Sequence, residues 1–320
     1  MQTVTLARHA MGTRFEIVLH GENPSRLRAA GEEALAEIER LEGQLSLYKP
    51  SSEIAQVNAA AARQPVRVTP AVFRLLQQAD QLHRESGGAF DITIAPLVRC
   101  WGFMDGSGSL PDPGDVERVR RHVGMQHVML DEENLTVQFD AEGVMLDLGA
   151  IGKGYAIDCA VETLREAGAE SALIHGGTST VYALGGPPGN EPWKVAIESP
   201  AGLRLLAAVP LHNEAMSVSA VWGKSFAHDG KNFGHVLDPR TGRPVAHTLL
   251  AAVVVPSATE TDALSTALLV VGSAGHDKIA QLRPSMRTLL LTPQGDLFHA
   301  ESKGIALLTP ESVENPSEND

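Results

Sequence analysis

The chain has 320 residues, enough for one large domain or two lobes with a full apolar core. Its 43% hydrophobic content excludes wholesale disorder, and a net charge of −13 excludes a basic nucleic-acid surface. An acidic chain can still hold phosphates, provided a local loop, lysine or divalent cation supplies the positive charge.

The N-terminal stretch "MQTVTLARHAMGTRFEIVLHG" has no apolar signal core, and no run reaches the ~20 apolar residues of a membrane span. The expected location is the cytoplasm, unless the chain is a piece of a longer exported one. Residues 11–20 alternate apolar and polar and predict a strand. Asn23-Pro24 opens a helix, with Leu27, Ala30, Ala34, Ile38, Leu41 and Leu45 as its buried stripe. Thr69-Pro70 opens a second helix in the same way, stopped by "SGG" at 86–88. The Gly/Pro/Asp stretch at 104–115 predicts a linker or flexible lid. A hairpin across "EEN" follows, then strand, glycine loop and helix over 144–168. Strands are expected at "SALIHGG", "WKVAIES", "LLAAVVV" and "RTLLLT", with a helix at 259–272 between the last two. The polar, acidic tail 309–320 is expected to be disordered. Cys100 and Cys159, the only cysteines, are too few for a disulfide framework and read as buried small residues.

Four stretches carry residues suited to chemistry. In "DLGAIGKGYAID" (147–158), Lys153 stands among glycines between an expected strand and a helix start, where backbone N–H groups gather around an anion. It is not a Walker loop, since Gly154 follows the lysine where a hydroxyl belongs. A purely structural turn accounts for it equally well. Thr259 and Asp262 stand in the register of a capping-box variant, and Asp262 and Thr266 share a helix face. They are a cap and an ordinary threonine, or two oxygen ligands for a hard cation, with Ser265 beside them. His235, in "GHVLDPRTGRPV", is either a satisfied structural histidine or a general base. "SGGAFDITIAPLVRCWGF" (86–103) is a turn leading into Phe90 and Asp91.

Taken together, these stretches resemble the ApbE family of FAD:protein FMN transferases. The matching blocks are "MGT" (11–13), "LSLYKPSSEIAQVN" (45–58), "GGAFDITIAPLVRCWGF" (87–103), "DLGAIGKGYAID" (147–158), "HVLDPRTGRPV" (235–245) and "TDALSTALLVVG" (261–272). The resemblance implies an α+β fold over residues 1–308, a single two-lobed domain of mainly antiparallel sheets and packed helices, with a flavin cleft between the lobes. It implies that FAD lies across Met11, Tyr48, Ala89, Phe90, Asp91, Asp147, Lys153 and Val236. Mg²⁺ would be held by Asp262, Thr266 and the main-chain oxygen of Ala150. The activity it implies is transfer of FMN from FAD to a threonine or serine hydroxyl of an acceptor flavoprotein, with release of AMP. His235, Lys153 and Asp262 are then the catalytic candidates. Hydrolysis of FAD to FMN and AMP, or flavin binding without turnover, are the alternatives. The chain departs from the family pattern at Val218 and Ala220, where a threonine and a glycine are usual. It departs again in the turn "HGGTSTVYALGG" (175–186) and at Ser265, where an acid sometimes stands.

Overall fold

The computed structural model describes residues 1–308 apart from 105, 107, 190, 201–204 and 296. The tail at 309–320, expected to be disordered, lies outside the described residues. The chain opens with a hairpin of β1 (Gln2–Ala10) and β2 (Thr13–Gly21), paired from Gln2↔Gly21 to Ala10↔Thr13. The sequence predicts only one strand here, starting two residues early. Met11 and Gly12 instead form the two-residue loop, with φ of 50° and 72°, the double positive φ that a type I′ hairpin requires.

Helix α1 (Pro24–Leu45) starts where predicted: the Asn23 side chain accepts from the Ser25 and Arg26 N–H groups, both at 3.1 Å. All six residues of the predicted stripe are buried. After α2 (Glu53–Ala60) and β3 (Val66–Arg67), α3 (Pro70–Ser86) ends on Gly87 at φ 66°. Thr69 stands at its N-cap without capping, because its hydroxyl is turned to Glu53. Then come α4 (Ala95–Cys100), α5 (Pro113–Arg120) and the predicted hairpin, β4 (Val128–Asp131) with β5 (Thr136–Phe139). The described part of the expected linker at 104–115 is folded back: Gly108 and Ser109 donate to the Gly102 and Trp101 carbonyls. The strand predicted to end at Asp147 is absent. There the Asn58 side chain binds both Leu146 N–H and Leu146 C=O, and Asp147 N–H goes to Ile92 O.

Helix α6 (Gly152–Glu166) leads to β6 (Ala172–Gly176), β7 (Thr180–Leu184), β8 (Trp193–Glu198), β9 (Leu205–Leu211) and β10 (Glu214–Ala220). The short strands β11 (Ser225–His228), β12 (Lys231–Gly234), β13 (Leu237–Asp238) and β14 (Arg243–Pro244) follow. The chain closes with β15 (Leu250–Val255), α7 (Ala258–Ala280), β16 (Arg287–Gln294) and β17 (Leu297–Lys303). Gly272, the predicted end of α7, breaks it with φ 60° and ψ −158°, and the helix resumes beyond. His247 Nε2, 3.1 Å from Val270 O, occupies the carbonyl at this break.

The main sheet runs β1-β2-β6-β7-β10-β15-β16-β17, and every pairing among the described residues is antiparallel. One face packs against α1, α6 and α7, with α3 packed on α7, in the principal core. The other, through Val181, Met216, Val254 and Leu289, meets Ile197, Val209 and Leu211 of the β8–β9 ribbon. A third cluster joins Trp101 and Phe103 to Phe226 and Phe233 of the β11–β12 hairpin. This is the expected α+β class with antiparallel sheets. No helix among the described residues is long and apolar enough to cross a membrane.

Candidate active site at two helix starts

The register of the main sheet brings several turns to one end. Phe15 pairs with Gly176, Gly176 with Thr180, and Thr180 with Ser217. The Met11–Gly12 turn, the 177–179 turn and the last half of β10 therefore share this end, and α6 and α7 both begin beside it. Their approach depends on Gly154: a Cβ there would lie 2.1 Å from Ala258 O and 2.9 Å from Asp262 Cβ. No other residue fits between the helices.

At this junction Asp262 is 4% exposed and fully engaged. Its Oδ2 accepts the Gly154 N–H at 3.1 Å; its Oδ1 faces Thr180 Oγ1 at 3.4 Å and Lys153 Nζ at 3.6 Å. Lys153 also donates to Gly149 O at 3.0 Å, so it lies back over its own loop. Around the carboxylate stands a set of hydroxyls. Ser217 Oγ donates to Thr261 Oγ1 at 2.8 Å, and Ser219 Oγ lies 2.8 Å from Ser265 Oγ and 3.2 Å from Thr266 Oγ1. Ser265 and Thr266 both donate to the Asp262 carbonyl. Thr180, Ser217 and Ser219 carry little signal in the sequence. Their signal was the alternation in "MSVSA", which puts Ser217 and Ser219 on one strand face. Val218 points the other way and packs against the β8–β9 ribbon, so its departure from the family pattern does not touch these hydroxyls.

The helix cap is also corrected. Ser257, not Thr259, is the N-cap of α7: its Oγ accepts the Glu260 N–H, and Ser257 with Glu260 gives the Ser-x-x-Glu spacing of a capping box. Asp262 is thereby released from any capping duty on its own helix.

The other predicted residues divide into two groups. Asp147 lies against the glycine loop, its Oδ1 accepting the Gly149 N–H at 2.8 Å. Burial pushes its carboxyl up from the ordinary value, while the Gly149 N–H and the charges of Lys153 and Lys224 oppose the shift. The Asp147–Ile92 bond joins this loop to the 89–91 turn. Ala89 and Phe90 are each only 1% exposed and belong to the principal core behind the site. Asp91 is committed to the Thr93 N–H and hydroxyl and to His83 Nδ1 at 3.2 Å. Burial opposes a charge on His83, but the hydrogen bond and charge of Asp91 outweigh it and raise its pKa. Met11, Ala150 and Val236 are half-buried, and Tyr48 is 62% exposed.

His235 follows β12 directly. Its Nδ1 lies 3.1 Å from Lys224 O, which also accepts the His235 N–H at 3.0 Å. A carbonyl can only accept, so Nδ1 carries the proton and Nε2 keeps its lone pair. Burial lowers the His235 pKa; the Lys224 carbonyl opposes this, and the charges of Lys224 and Lys153 add to it. The imidazole is thus neutral at pH 7, and both lysines lie within electrostatic reach of it. Phe103 meets its ring edge-on at 6.5 Å.

The site thus has a cation, a carboxylate ringed by hydroxyls, and a neutral imidazole, suited to a phosphate-bearing substrate. The model of the ApbE family matches residues 11–290. The FAD:protein FMN transferase of Escherichia coli strain K12 is 28% identical over 305 residues, covering 93% of this chain and 86% of that protein. The apo crystal structure of the Pseudomonas stutzeri flavinyl transferase ApbE superposes with a TM-score of 0.83 at 30% identity, covering 94% of each chain. The ApbE protein of Thermotoga maritima gives a TM-score of 0.83 at 27% identity, covering 91% of this chain and 94% of that one. With the family model spanning most of its length, this chain belongs to the ApbE family.

Proposed function

We propose that this protein transfers FMN from FAD to a serine or threonine hydroxyl of an acceptor flavoprotein and releases AMP. The observation that carries it is the meeting of Lys153 and Asp262 at two abutting helix starts, one side of which is a glycine loop. Such an arrangement receives a pyrophosphate: N–H groups and an ammonium face the anion, and a carboxylate stands ready for a cation.

The donor set suits Mg²⁺ in kind, being carboxylate, hydroxyl and carbonyl oxygens throughout. Among the described residues no group of three or more His, Cys, Asp or Glu forms a metal site. Protein oxygens from Asp262, Thr266 and the Ala150 carbonyl would therefore hold the ion together with substrate phosphates, the usual pattern for Mg²⁺. When bound, it supplies charge neutralisation on the pyrophosphate. Of the two Asp262 oxygens, Oδ1, which faces Lys153, would be the one offered to the ion, since Oδ2 accepts from Gly154. Lys153 must leave Asp262 to reach a phosphate, a short swing for a flexible side chain.

The chemistry is in-line displacement at the FMN-side phosphorus. The acceptor hydroxyl oxygen forms the new P–O bond, the bond to the bridging oxygen breaks, and AMP leaves with that oxygen. His235 Nε2, unprotonated and neutral, takes the hydroxyl proton. Asp147, with its raised pKa, faces the nucleotide from the loop. The test is incubation with FAD and Mg²⁺, with and without a peptide carrying an acceptor threonine. AMP release that needs the peptide, with FMN covalently on it, is expected. AMP release without the peptide would instead make the protein an FAD pyrophosphatase, and none in either arm would overturn turnover altogether.

A further inference from the structure

Asp158 lies four residues beyond Gly154 on the same face of α6, and its carboxylate is used entirely on the neighbouring helix. Oδ1 accepts the Ala258 N–H at 2.8 Å. Oδ2 accepts the Thr259 N–H at 2.9 Å, the Ser257 hydroxyl at 2.8 Å and the Thr259 hydroxyl at 2.6 Å. These N–H groups belong to the first turn of α7, where they have no partner inside the helix and where the helix dipole favours an anion. The reverse connection exists as well: Asp262 of α7 accepts the Gly154 N–H in the first turn of α6. Each helix start is thus satisfied by a carboxylate from the other. Between them passes the contact that admits only glycine at 154.

We propose that Asp158 is a positioning residue for the site. It clamps the start of α7 to α6, and so fixes Asp262 Oδ1 relative to Lys153 and the glycine loop. From the α6 side, the hydrogen bond from Gly154 N–H holds Oδ2 of the Asp262 carboxylate, while the Lys153 ammonium faces Oδ1 at 3.6 Å. That bond holds its length only while the two helix starts keep their separation, and the four bonds to Asp158 hold that separation. Asp158 touches no substrate in this scheme. It acts by keeping the two halves of the pyrophosphate site in register, one on the loop and one on α7.

The test compares Asp158→Asn with Asn23→Ala. The latter removes the cap of α1 and costs stability at a distance, near the opposite end of α6, where Arg26 approaches Gly168. An asparagine can keep either the Oδ1 or the Oδ2 bonds of Asp158 but not both sets. Amide hydrogen exchange at Gly154 reads the clamp without any ligand. Flavin fluorescence on FAD titration and AMP release read its effect on the site. With Asp158→Asn, Gly154 exchange accelerates and both FAD affinity and kcat/KM fall by about tenfold or more, as for other residues that orient ligating groups. With Asn23→Ala the melting temperature falls, but Gly154 exchange, FAD affinity and kcat/KM stay at the wild-type values. If Asp158→Asn behaves like Asn23→Ala in all three readouts, the proposal is wrong. Thr259→Val, which removes one hydroxyl bond and keeps the fold's volume, gives a smaller change in the same direction and serves if Asp158→Asn does not fold. The FAD readouts rest on the function proposed above. Wild-type protein that binds no FAD would overturn that function, while Gly154 exchange would still decide the clamp.

Discussion

At the helix-start end of the site, Asp262, Ser217, Thr261 and Ser265 are all buried, and every one has a partner on another element or its own helix. At the hairpin end, His235 is held by one backbone carbonyl, and among the described residues β11 and β12 pair only with each other. Exposed Lys224 and Trp222 lie at the root of that hairpin, which rests on the aromatic cluster of Trp101 and Phe103. The difference follows from what each end must do in the proposed reaction. A pyrophosphate is the same in every turnover, so its site can be fixed by backbone contact and buried hydrogen bonds. An acceptor hydroxyl arrives on another macromolecule and needs access from solvent. Substitutions at the two ends should therefore fail in different ways: by loss of fold and flavin binding at the first, by loss of transfer alone at the second.

The largest effect is expected from Gly154→Ala. The new methyl would lie 2.1 Å from a backbone carbonyl, so the helices must separate rather than a side chain rotate. A loss of about 3 kcal/mol is expected in denaturant unfolding, with no AMP release from what remains folded. Retained stability and activity would mean that the helix starts are not in contact. Next is Asp262→Ala, which removes the carboxylate bonded to Gly154. Turnover with Mg²⁺ should fall on the order of 10³-fold, since an electrostatic group at the reacting phosphate is lost. FAD affinity in the presence of Mg²⁺ should fall with it, since Lys153, freed from its ion pair, does not replace the lost carboxylate. Unchanged turnover would remove Asp262 from the mechanism.

The same contrast explains what the sequence made legible. Helices with strong stripes and clear caps, α1 above all, stood where periodicity and Asn23-Pro24 put them. The glycine loop and α7 were located as well, because their unusual composition marks them. What stayed hidden depends on contacts between distant residues. Asp158 reads as an ordinary acid on a helix until α7 is brought against it, ninety-nine residues or more along the chain. Ser217 and Ser219 are unremarkable strand serines until β10 lies under α7. The segment ending at Asp147 has a strand's pattern, yet Asn58 supplies its partners in place of a neighbouring strand. Phe90 stands in a family motif, and its burial in the principal core shows only once the fold is assembled.

At the hairpin end, His235→Gln should lower FMN transfer to the peptide by about 10²-fold or more while leaving FAD affinity at the wild-type value. Glutamine can still donate to Lys224 O but cannot take a proton. A parallel loss of FAD binding would instead make His235 a flavin-binding residue.

The smallest and most diagnostic change is in the pH profile. Burial and the charges of Lys224 and Lys153 set the His235 pKa below its ordinary value of 6.5, with the Lys224 carbonyl acting against them. The base form therefore exists above that lowered pKa. Activity should rise with pH along a limb whose midpoint lies below 6.5. Lys224→Met keeps the backbone carbonyl that orients the ring and removes one positive charge. The histidine then protonates more readily, so the limb moves toward 6.5. Transfer should drop a few-fold near pH 6 and stay nearly unchanged near pH 8, a range set by a fraction of a pKa unit. The shift should shrink at high salt, because the lysine is exposed and its field is screened. A uniform loss at every pH would show that Lys224 binds a substrate phosphate directly. At the helix-start end the Gly154–Asp262 bond and the close contact at Gly154 are buried, so salt screens that geometry far less.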